Sequence, residues 1–220
     1  KNKSWNKKTN KNISAIIIVH MWGHCSNIYK LIKFCKKRGI KVIEDASEAL
    51  GSKYLINNKK KISLGCLGDV GCLSFNGNKV ITTGSGGMVV SNNKSIIKKA
   101  NYLGNQAKDD SLRYIHNNIG FNYKMNNLQA AMGCAQLENL SLFLKNKRKI
   151  HKYYLNKINK LGNFSVLEPS KKCWSNNWMN ILQIKTDFAL TPFDIHKFLK
   201  KNGVETRMIW FPNHLQSKFK

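Results

Sequence analysis

The sequence predicts an α/β protein with a mostly parallel sheet and helices on both of its faces. The first observation behind this prediction is the continuous, largely β-branched run SAIIIVH at residues 14–20, which is typical of a strand buried on both faces. The second is the helical pattern that follows it, ended by Gly39 and succeeded by an apolar run at 41–44, so that one βαβ unit is formed. The third is a pair of strand candidates at 70–75 and 88–91 on either side of a glycine-rich turn.

The remaining elements follow from capping residues and periodicity. Ser26 or Asn27 can cap the first helix, which carries apolar residues at helical spacing and stops before Gly39. Asn126, with Gln129 at the capping-box position, begins a helix of small and apolar residues, which predicts either deep burial or a subunit interface. The other predicted elements are a basic loop at 57–67, a helix at 92–103, a long loop at 104–123, an amphipathic helix at 144–161, strands at 177–184 and 204–210, and a helix that opens at Thr191-Pro192 and closes at Gly203.

The composition is that of a folded protein with a large excess of positive charge. Hydrophobic residues make up 42% of the 220 residues and aromatic residues 10%, which excludes a largely disordered chain. The formal net charge is +27, but only four of the 38 basic residues are arginine, and the lysines are spread along the whole chain. Nucleic-acid sites favour arginine and clustered basic faces. We therefore interpret most of the charge as a compositional bias and expect no nucleic-acid partner, with a basic nucleic-acid-binding protein as the alternative class.

The cysteines and the apolar runs bear on the compartment. The six cysteines include no C-x-x-C pair and no histidine at ligand spacing, so we expect free thiols in a reducing compartment and no metal site. The apolar run at 15–19 is too short for a secretion signal or a membrane span. These patterns predict a cytoplasmic protein without a membrane partner.

Two candidate reactive residues follow neighbouring strands. Lys79 lies just past the strand candidate that ends in CLSF, and Asp45 follows the run VIE. Ligands bind at the carboxyl ends of the strands in an open α/β sheet. There a lysine can form a Schiff base with pyridoxal phosphate while a carboxylate keeps the ring nitrogen protonated. Ser74 and the amides of the glycine-rich turn can meet a phosphate. Each residue by itself is more often a solvated surface group, so only the combination favours a functional site.

Five blocks of sequence, in order, resemble the DegT/StrS family of nucleotide-sugar aminotransferases, which are fold-type I pyridoxal phosphate enzymes. The blocks are VHMWG at 19–23, VIEDASEALGS at 42–52, GDVGCLSFNGNKVITTGSGGMVV at 68–90, GFNYKMNNLQAAMGCAQLE at 120–138 and VETRMIWFPNHLQ at 204–216. The resemblance implies an aspartate-aminotransferase-like large domain at 1–140 and a small α+β domain at 141–220, both incomplete. We expect the family's N-terminal segment, which supplies part of the cofactor pocket, to lie outside this chain.

The resemblance also implies roles for residues within these blocks. Lys79 would form the internal aldimine and move the proton during amino transfer, and Asp45 would pair with the pyridinium nitrogen. Glu48 lies where many relatives carry Gln beside the cofactor's phenolic oxygen, and Ser74 would hold the cofactor phosphate. Asn122 would reach the phosphate of the other subunit's cofactor, which implies a homodimer with a shared active site.

The substrates implied by the resemblance are glutamate, as amino donor, and a 4-keto-6-deoxy sugar nucleotide, as acceptor. His20, Arg207 and His214 would lie near the sugar nucleotide. A sister branch of the family carries His in place of the lysine and dehydrates sugars, so Lys79 favours amino transfer. The lysine block looks most like the branch that makes UDP-linked amino sugars for legionaminic acid or bacillosamine, with a GDP-perosamine-type substrate as the alternative.

Overall fold

The computed structural model describes residues 4–57 and 59–219. Within these residues the strands are β1 (Trp5–Asn6), β2 (Lys11–Asn12), β3 (Ala15–Val19), β4 (Lys41–Asp45), β5 (Lys53–Leu55), β6 (Lys61–Ser63), β7 (Val70–Ser74), β8 (Gly87–Val90), β9 (Lys108–Asp110), β10 (Ile115–His116), β11 (Phe164–Val166), β12 (Cys173–Trp174) and β13 (Leu182–Ile184). The α-helices are α1 (Ile28–Arg38), α2 (Lys94–Gly104), α3 (Asn127–Glu138), α4 (Leu140–Ile158) and α5 (Pro192–Lys201). Short 3-10 turns are formed by Met21–Gly23, Asn159–Leu161, Asn213–Leu215 and Ser217–Phe219. In this described part of the chain, no helix is both long enough and apolar enough to cross a membrane.

The chain divides into two compact units. The first takes the residues up to Lys152 together with Glu168–Asn180, and the second takes Tyr153–Leu167 and the residues from Ile181 onward. The division therefore falls inside α4, and a short segment returns to the first unit. The domain boundary at 140/141 stays a prediction.

The main sheet has the strand order β3-β4-β7-β8, with the first three strands parallel and β8 antiparallel to β7. Helix α1 connects β3 to β4, which confirms the predicted βαβ unit. The register places Val19 beside Asp45 and Asp45 beside Cys72, so the carboxyl ends of the three parallel strands meet at one edge. The predicted α/β class with a mostly parallel main sheet is confirmed.

The core lies between α1 and one face of this sheet. Ile28 and Cys35 of α1 join Ile18 of β3 and Val42 of β4 in one cluster of buried side chains. Because successive side chains of a strand point to opposite faces, Ile17 lies on the other side and is 63% exposed. The run that the sequence predicts as buried on both faces is thus buried on one face among the described residues.

A second, antiparallel sheet has the order β12-β5-β6. The sequence predicts only a loop at 57–67, but that segment contains β6. Three-residue strands are too short to show a period-two pattern, and β12 joins through the pairing of Cys173 with Tyr54, a partner far away along the chain. This sheet brings the segment after β12 to the first unit.

Helix α3 begins as the sequence predicts. The Asn126 side chain accepts a hydrogen bond from the Gln129 amide, and the Gln129 side chain accepts one from the Asn126 amide, so the capping box is complete. No residue of α3 is buried in the described structure, and Leu128 is 83% exposed. Of the two alternatives for this helix, deep burial within the chain is wrong, and a subunit interface stays a prediction.

The second unit contains the antiparallel pair β11 and β13 and the helix α5. α5 begins at Pro192 with a capping box between Thr191 and Asp194, and Gly203 follows its end with a φ of 76°. These features agree with the sequence prediction. The strand predicted at 204–210 is wrong, since none of the described strands pairs with that segment.

Candidate active site

The predicted reactive residues lie at the carboxyl edge of the main sheet. Asp45 is the last residue of β4, and Ser74 is the last residue of β7. Lys79 follows β7 in a turn that is closed by a hydrogen bond from its amide to the Asn76 carbonyl oxygen, at 3.0 Å. The strand, turn and strand predicted for 72–90 are therefore present, and the turn carries Lys79.

The Lys79 amine is enclosed. Its Nζ lies 3.9 Å from Glu48 Oε1, and both side chains are 14% exposed. The same Nζ lies 4.2 Å from the centroid of the Trp178 ring, which is a cation–π distance. The cleft around these groups is also lined by Ser47, Leu50, Ser74, Val80, Ile81 and Asn176. An amine held between a carboxylate and an aromatic face differs from a solvated surface lysine, and it is a candidate reactive group.

Glu48 is positioned by the turn that follows β3. Its Oε2 accepts a hydrogen bond from the Trp22 amide at 2.5 Å. Trp22 has a positive φ of 56°, a conformation that is costly for a bulky residue and is concentrated at functional sites. One oxygen of Glu48 therefore binds the backbone while the other faces the Lys79 amine.

Asp45 leaves one oxygen available at the edge of the sheet. Its Oδ1 accepts hydrogen bonds from the Ser47 amide, at 3.1 Å, and from the Ser47 hydroxyl. Its Oδ2 accepts none from the part of the chain that the structure describes. Since Ser47 lines the cleft, Asp45 is connected to the surroundings of Lys79 through this serine.

Ser74 and the turn beyond Lys79 complete the edge. The Ser74 Oγ accepts a hydrogen bond from the Asn76 amide at 3.3 Å, so its own proton remains for donation to another group. The turn returns to β8 through Gly84 and Gly86, whose φ values of 78° and 92° lie in the left-handed region that favours glycine.

His20 and Glu44 form a buried pair next to this edge. His20 Nε2 lies 2.8 Å from Glu44 Oε2, and the two side chains are 1% and 0% exposed. Glu44 also accepts hydrogen bonds from the amides of Gly65, Leu67 and Gly68. Burial would raise the pKa of Glu44, but the hydrogen bonds from His20, Gly68 and Gly65 outweigh burial and hold this pKa below its ordinary value. The His20 ring is enclosed and bound to Glu44, and its predicted contact with a substrate stays a prediction.

Two residues that reach the cleft, Asn176 and Trp178, are absent from the sequence predictions. They follow β12. The sequence predicts a strand at 177–184, but in the structure only the end of that range forms a strand, β13. Asn177 has a positive φ of 49°, which interrupts an extended backbone, and both of its neighbours line the cleft. The one signal in the sequence is a tryptophan in a polar run, which lies outside the five family-like blocks.

Three further predicted residues lie elsewhere in the chain. Asn122 is exposed and forms an isolated bridge with Asn105, and its contact with a partner's cofactor stays a prediction. Arg207 pairs with Glu205 at 2.6 Å, and His214 lies in a 3-10 turn, both in the second unit. Their roles at a sugar nucleotide also stay predictions.

The chemistry of this edge fits pyridoxal phosphate. Lys79 would supply an enclosed amine for the cofactor's aldehyde carbon, and Asp45 would supply an acceptor oxygen for a protonated ring nitrogen. Ser74 would supply a hydroxyl donor for a phosphate oxygen. Asp45 and Ser74 end the neighbouring strands β4 and β7, and Lys79 lies in the turn after β7, at the edge where an α/β sheet binds its ligands.

Comparison with known sequences identifies relatives over nearly the whole chain. The sequence pattern of the DegT/DnrJ/EryC1/StrS aminotransferase family matches residues 3–220. The putative pyridoxal phosphate-dependent aminotransferase EpsN of Bacillus subtilis (strain 168) is 38% identical over 205 residues, which are 93% of this chain and 51% of EpsN. GDP-perosamine synthase of Vibrio cholerae is 37% identical over 208 residues, which are 94% of this chain and 55% of the synthase.

The fold has close counterparts among solved structures. Helicobacter pylori PseC, an aminotransferase involved in the biosynthesis of pseudoaminic acid, superposes with a TM-score of 0.84 and 26% identity over 94% of this chain and 55% of PseC. The aspartate-aminotransferase-like fold implied by the sequence blocks is thereby confirmed. The chain spans about half the length of the curated relatives it matches. Since the family pattern extends over nearly all of its residues, the protein belongs to the DegT/DnrJ/EryC1/StrS aminotransferase family.

Proposed function

We propose that the protein acts as a pyridoxal-phosphate-dependent aminotransferase that moves an amino group from glutamate to the keto carbon of a 4-keto-6-deoxy sugar nucleotide. The observation that carries this proposal is the enclosed Lys79 amine, which lies 3.9 Å from Glu48 in the turn after β7, the strand next to that of Asp45. Membership of the family supports it, as does the naming of the Bacillus subtilis relative as a pyridoxal phosphate-dependent aminotransferase. The GDP-perosamine synthase relative supports a sugar nucleotide as substrate.

Each residue would contribute through a stated atom. Bound pyridoxal phosphate supplies an electron sink for the electron pair that remains when a proton leaves carbon. Lys79 would hold the cofactor through Nζ and, when released, would carry the proton between carbon atoms. Asp45 would accept a hydrogen bond from the ring nitrogen, and Ser74 would donate one to the phosphate. Glu48, fixed by the Trp22 amide, would keep the amine at the edge of the sheet.

Covalent capture of the cofactor tests the assignment of Lys79. Pyridoxal phosphate added to the protein should give the absorption band of a lysine-bound cofactor, and borohydride reduction should fix a pyridoxyl group on Lys79, as located by peptide mass spectrometry. Lys79→Ala should remove both signals. The matched control Lys94→Ala changes an exposed lysine at the start of α2 and should leave both signals unchanged. A band of wild-type strength in Lys79→Ala would overturn the assignment.

The nucleotide and the sugar are the finer part of the proposal. The lysine block favours a UDP-linked amino sugar, whereas 37% identity to the GDP-perosamine synthase of Vibrio cholerae favours a GDP-linked one. Incubation with nitrogen-labelled glutamate and a panel of UDP-, GDP- and dTDP-linked 4-keto-6-deoxy sugars separates these candidates, because label enters only an accepted sugar. NMR of the product also gives the ring position of the new amine. If no sugar in the panel takes up label, sugar amination is contradicted.

We also propose a cytoplasmic homodimer in which Asn122 of each subunit reaches the cofactor of the other. The exposed apolar side chains of α3, among them Leu128 and Met132, support a covered surface along that helix. Sedimentation equilibrium tests the assembly, and a monomer at micromolar concentration would contradict it.

A further inference from the structure

Trp178 makes two separate contacts with the segment that carries the reactive lysine. Its indole Nε1 donates a hydrogen bond to the Asn78 carbonyl oxygen at 2.6 Å, which holds the residue directly before Lys79. The face of its ring lies 4.2 Å from Lys79 Nζ. Trp178 is 5% exposed, so its side of both contacts is shielded from bulk water, which strengthens hydrogen bonds and cation–π contacts.

The backbone of Trp178 is itself held in place by Asn176. Asn176 is completely buried, and its Nδ2 donates hydrogen bonds to the carbonyl oxygens of Glu48 and Leu50 at 2.8 and 3.0 Å. Its Oδ1 accepts a hydrogen bond from the Trp178 amide at 3.0 Å. Glu48 and Trp178 are the two groups that contact the Lys79 amine, and Asn176 joins their two segments through these hydrogen bonds.

The backbone conformation of Asn177 is a second, independent sign that the position of Trp178 is functionally important. Asn177 lies between the two residues with a φ of 49° and is 6% exposed. A buried non-glycine residue in the left-handed region is retained where its surroundings over-determine it, and such residues are concentrated at functional sites. Trp22, whose amide holds Glu48, is in the same region. Both groups that contact the amine are therefore supported by left-handed residues.

We propose that Trp178 is a positioning residue for Lys79. Its ring and the Glu48 carboxylate form a resting site that holds the Lys79 ammonium group whenever the amine is not bonded to the cofactor. An aromatic face and a carboxylate are both groups that attract an ammonium ion. The catalytic meaning of this resting site rests on the proposed function, whereas the contact between Trp178 and Lys79 does not.

Trace acetylation tests this role without any cofactor. The protein is treated with a small amount of acetic anhydride, and the rate at each lysine is read by peptide mass spectrometry, with Lys41 (65% exposed) as internal reference. Trp178→Leu removes the aromatic face and should raise the relative acetylation of Lys79 about 5-fold, whereas Trp178→Phe keeps a face and should change it less than about 2-fold. The matched control Trp174→Leu changes a ring of the same segment that contacts Arg148 and Lys53, and should leave Lys79 unchanged.

A second variant covers the case in which Trp178→Leu does not fold. Trifluorotryptophan incorporated at position 178 keeps the shape and the indole N–H but weakens the negative face of the ring, so it should also raise acetylation of Lys79. Wild-type acetylation of Lys79 in both the leucine and the fluorinated variants would overturn the proposal. A rise in Trp178→Phe as large as that in Trp178→Leu would also overturn it, because the aromatic face would then have no role.

A parallel experiment with pyridoxal phosphate separates this proposal from the proposed function. If the wild-type protein captures no cofactor on Lys79 while Trp178→Leu still raises acetylation, the aminotransferase function fails and the resting site stands. If the wild-type protein captures the cofactor while Lys79 is acetylated at the wild-type rate in both Trp178→Leu and the fluorinated variant, the resting site fails and the aminotransferase function stands.

Discussion

Glu44 is a buried charge whose partners surround it. The carboxylate accepts one hydrogen bond from His20 and three from backbone amides, so its acceptor capacity is used by groups that are buried with it. Removing one member of such a pair leaves uncompensated polar groups in the interior. The pair therefore matters more for the fold than for contact with a ligand.

We expect Glu44→Gln to lower the free energy of unfolding by about 3–5 kcal/mol, because the amide nitrogen of glutamine cannot accept the hydrogen bonds that the carboxylate accepts. Urea denaturation followed by circular dichroism measures the change. Glu138→Gln, which makes the same substitution on the exposed surface of α3, should stay within about 0.5 kcal/mol of the wild type. Equal effects of the two substitutions would contradict the structural role of Glu44.

The same carboxylate makes stability depend on acidity. The folded chain holds the pKa of Glu44 below its ordinary value of 4.5, so its contribution to stability is complete above that value and is lost as the pH falls through the lowered pKa. The difference in free energy of unfolding between wild type and Glu44→Gln should therefore shrink when the pH is lowered from neutral into the acid range. A difference that stays constant over this range would show that the lowered pKa is not linked to folding.

At the scale of elements, β7 approaches the preceding loop so closely that it requires a glycine. A Cβ placed on Gly71 would overlap the backbone carbonyl of Gly65, which has no flexible side chain to move away. A Cβ on Gly77, in the turn before Lys79, would meet only the Gly84 carbonyl oxygen at 3.8 Å. The two glycines therefore form a matched pair for substitution.

Gly71→Ala should destabilise the fold by about 1–3 kcal/mol through overpacking of backbone against backbone, whereas Gly77→Ala should change stability little. Thermal unfolding of the two variants measures the contrast. If Gly71→Ala and Gly77→Ala unfold at the same midpoint temperature, the loop before β7 can move away from the new methyl group without a loss of stability.

The elements that the sequence predicts well are those whose signals are local. The apolar run of β3, the glycine after α1 and the capping boxes at Asn126 and Thr191 each act within a few residues. The elements that it misses depend on partners far along the chain: β6 is too short to show a pattern, and β12 exists because Cys173 pairs with Tyr54. The segment at 204–210 has an apolar composition typical of strands but no described partner strand.

The same distinction between local and distant signals applies to the residues of the candidate site. The positions of Asp45 and Ser74 are predictable because each ends a strand with a clear pattern, and that of Lys79 because it lies in the short turn after one of these strands. Parallel strands then bring their carboxyl ends together. Trp178 is not predictable, because it reaches Lys79 through a left-handed residue and a buried asparagine rather than through a regular element. His20 has the residue type of a ligand contact, but the sequence carries no signal that Glu44 would enclose it.

At the scale of the whole molecule, the net charge of +27 produces a field that attracts anions of any kind. This charge favours encounter with phosphate-bearing ligands, and it also predicts weak, sequence-independent association with nucleic acids. The alternative class of function, a specific nucleic-acid-binding protein, would require sequence-dependent contacts in addition to this electrostatic attraction.

We expect DNA binding to be non-specific, with a dissociation constant of about 10⁻⁴ to 10⁻⁶ M at physiological salt, and to weaken steeply as salt is raised. Fluorescence anisotropy with labelled duplexes of several sequences measures both properties. Lys79→Ala should bind DNA as the wild type does, because one lysine among many contributes little to the total charge. Tight, salt-resistant binding to one sequence would favour the alternative class.

The hydrogen bonds of Glu44 also determine how this part of the molecule opens. One carboxylate on β4 accepts hydrogen bonds from the amides of Gly65, Leu67 and Gly68, so separation of the loop before β7 from β4 breaks all three. We expect these amides to belong to one cooperative opening unit and to share a single free energy of opening in hydrogen exchange. Because β7 continues from that loop to the turn of Lys79, we expect opening of the same unit to expose the cleft, at a distance from the amine itself.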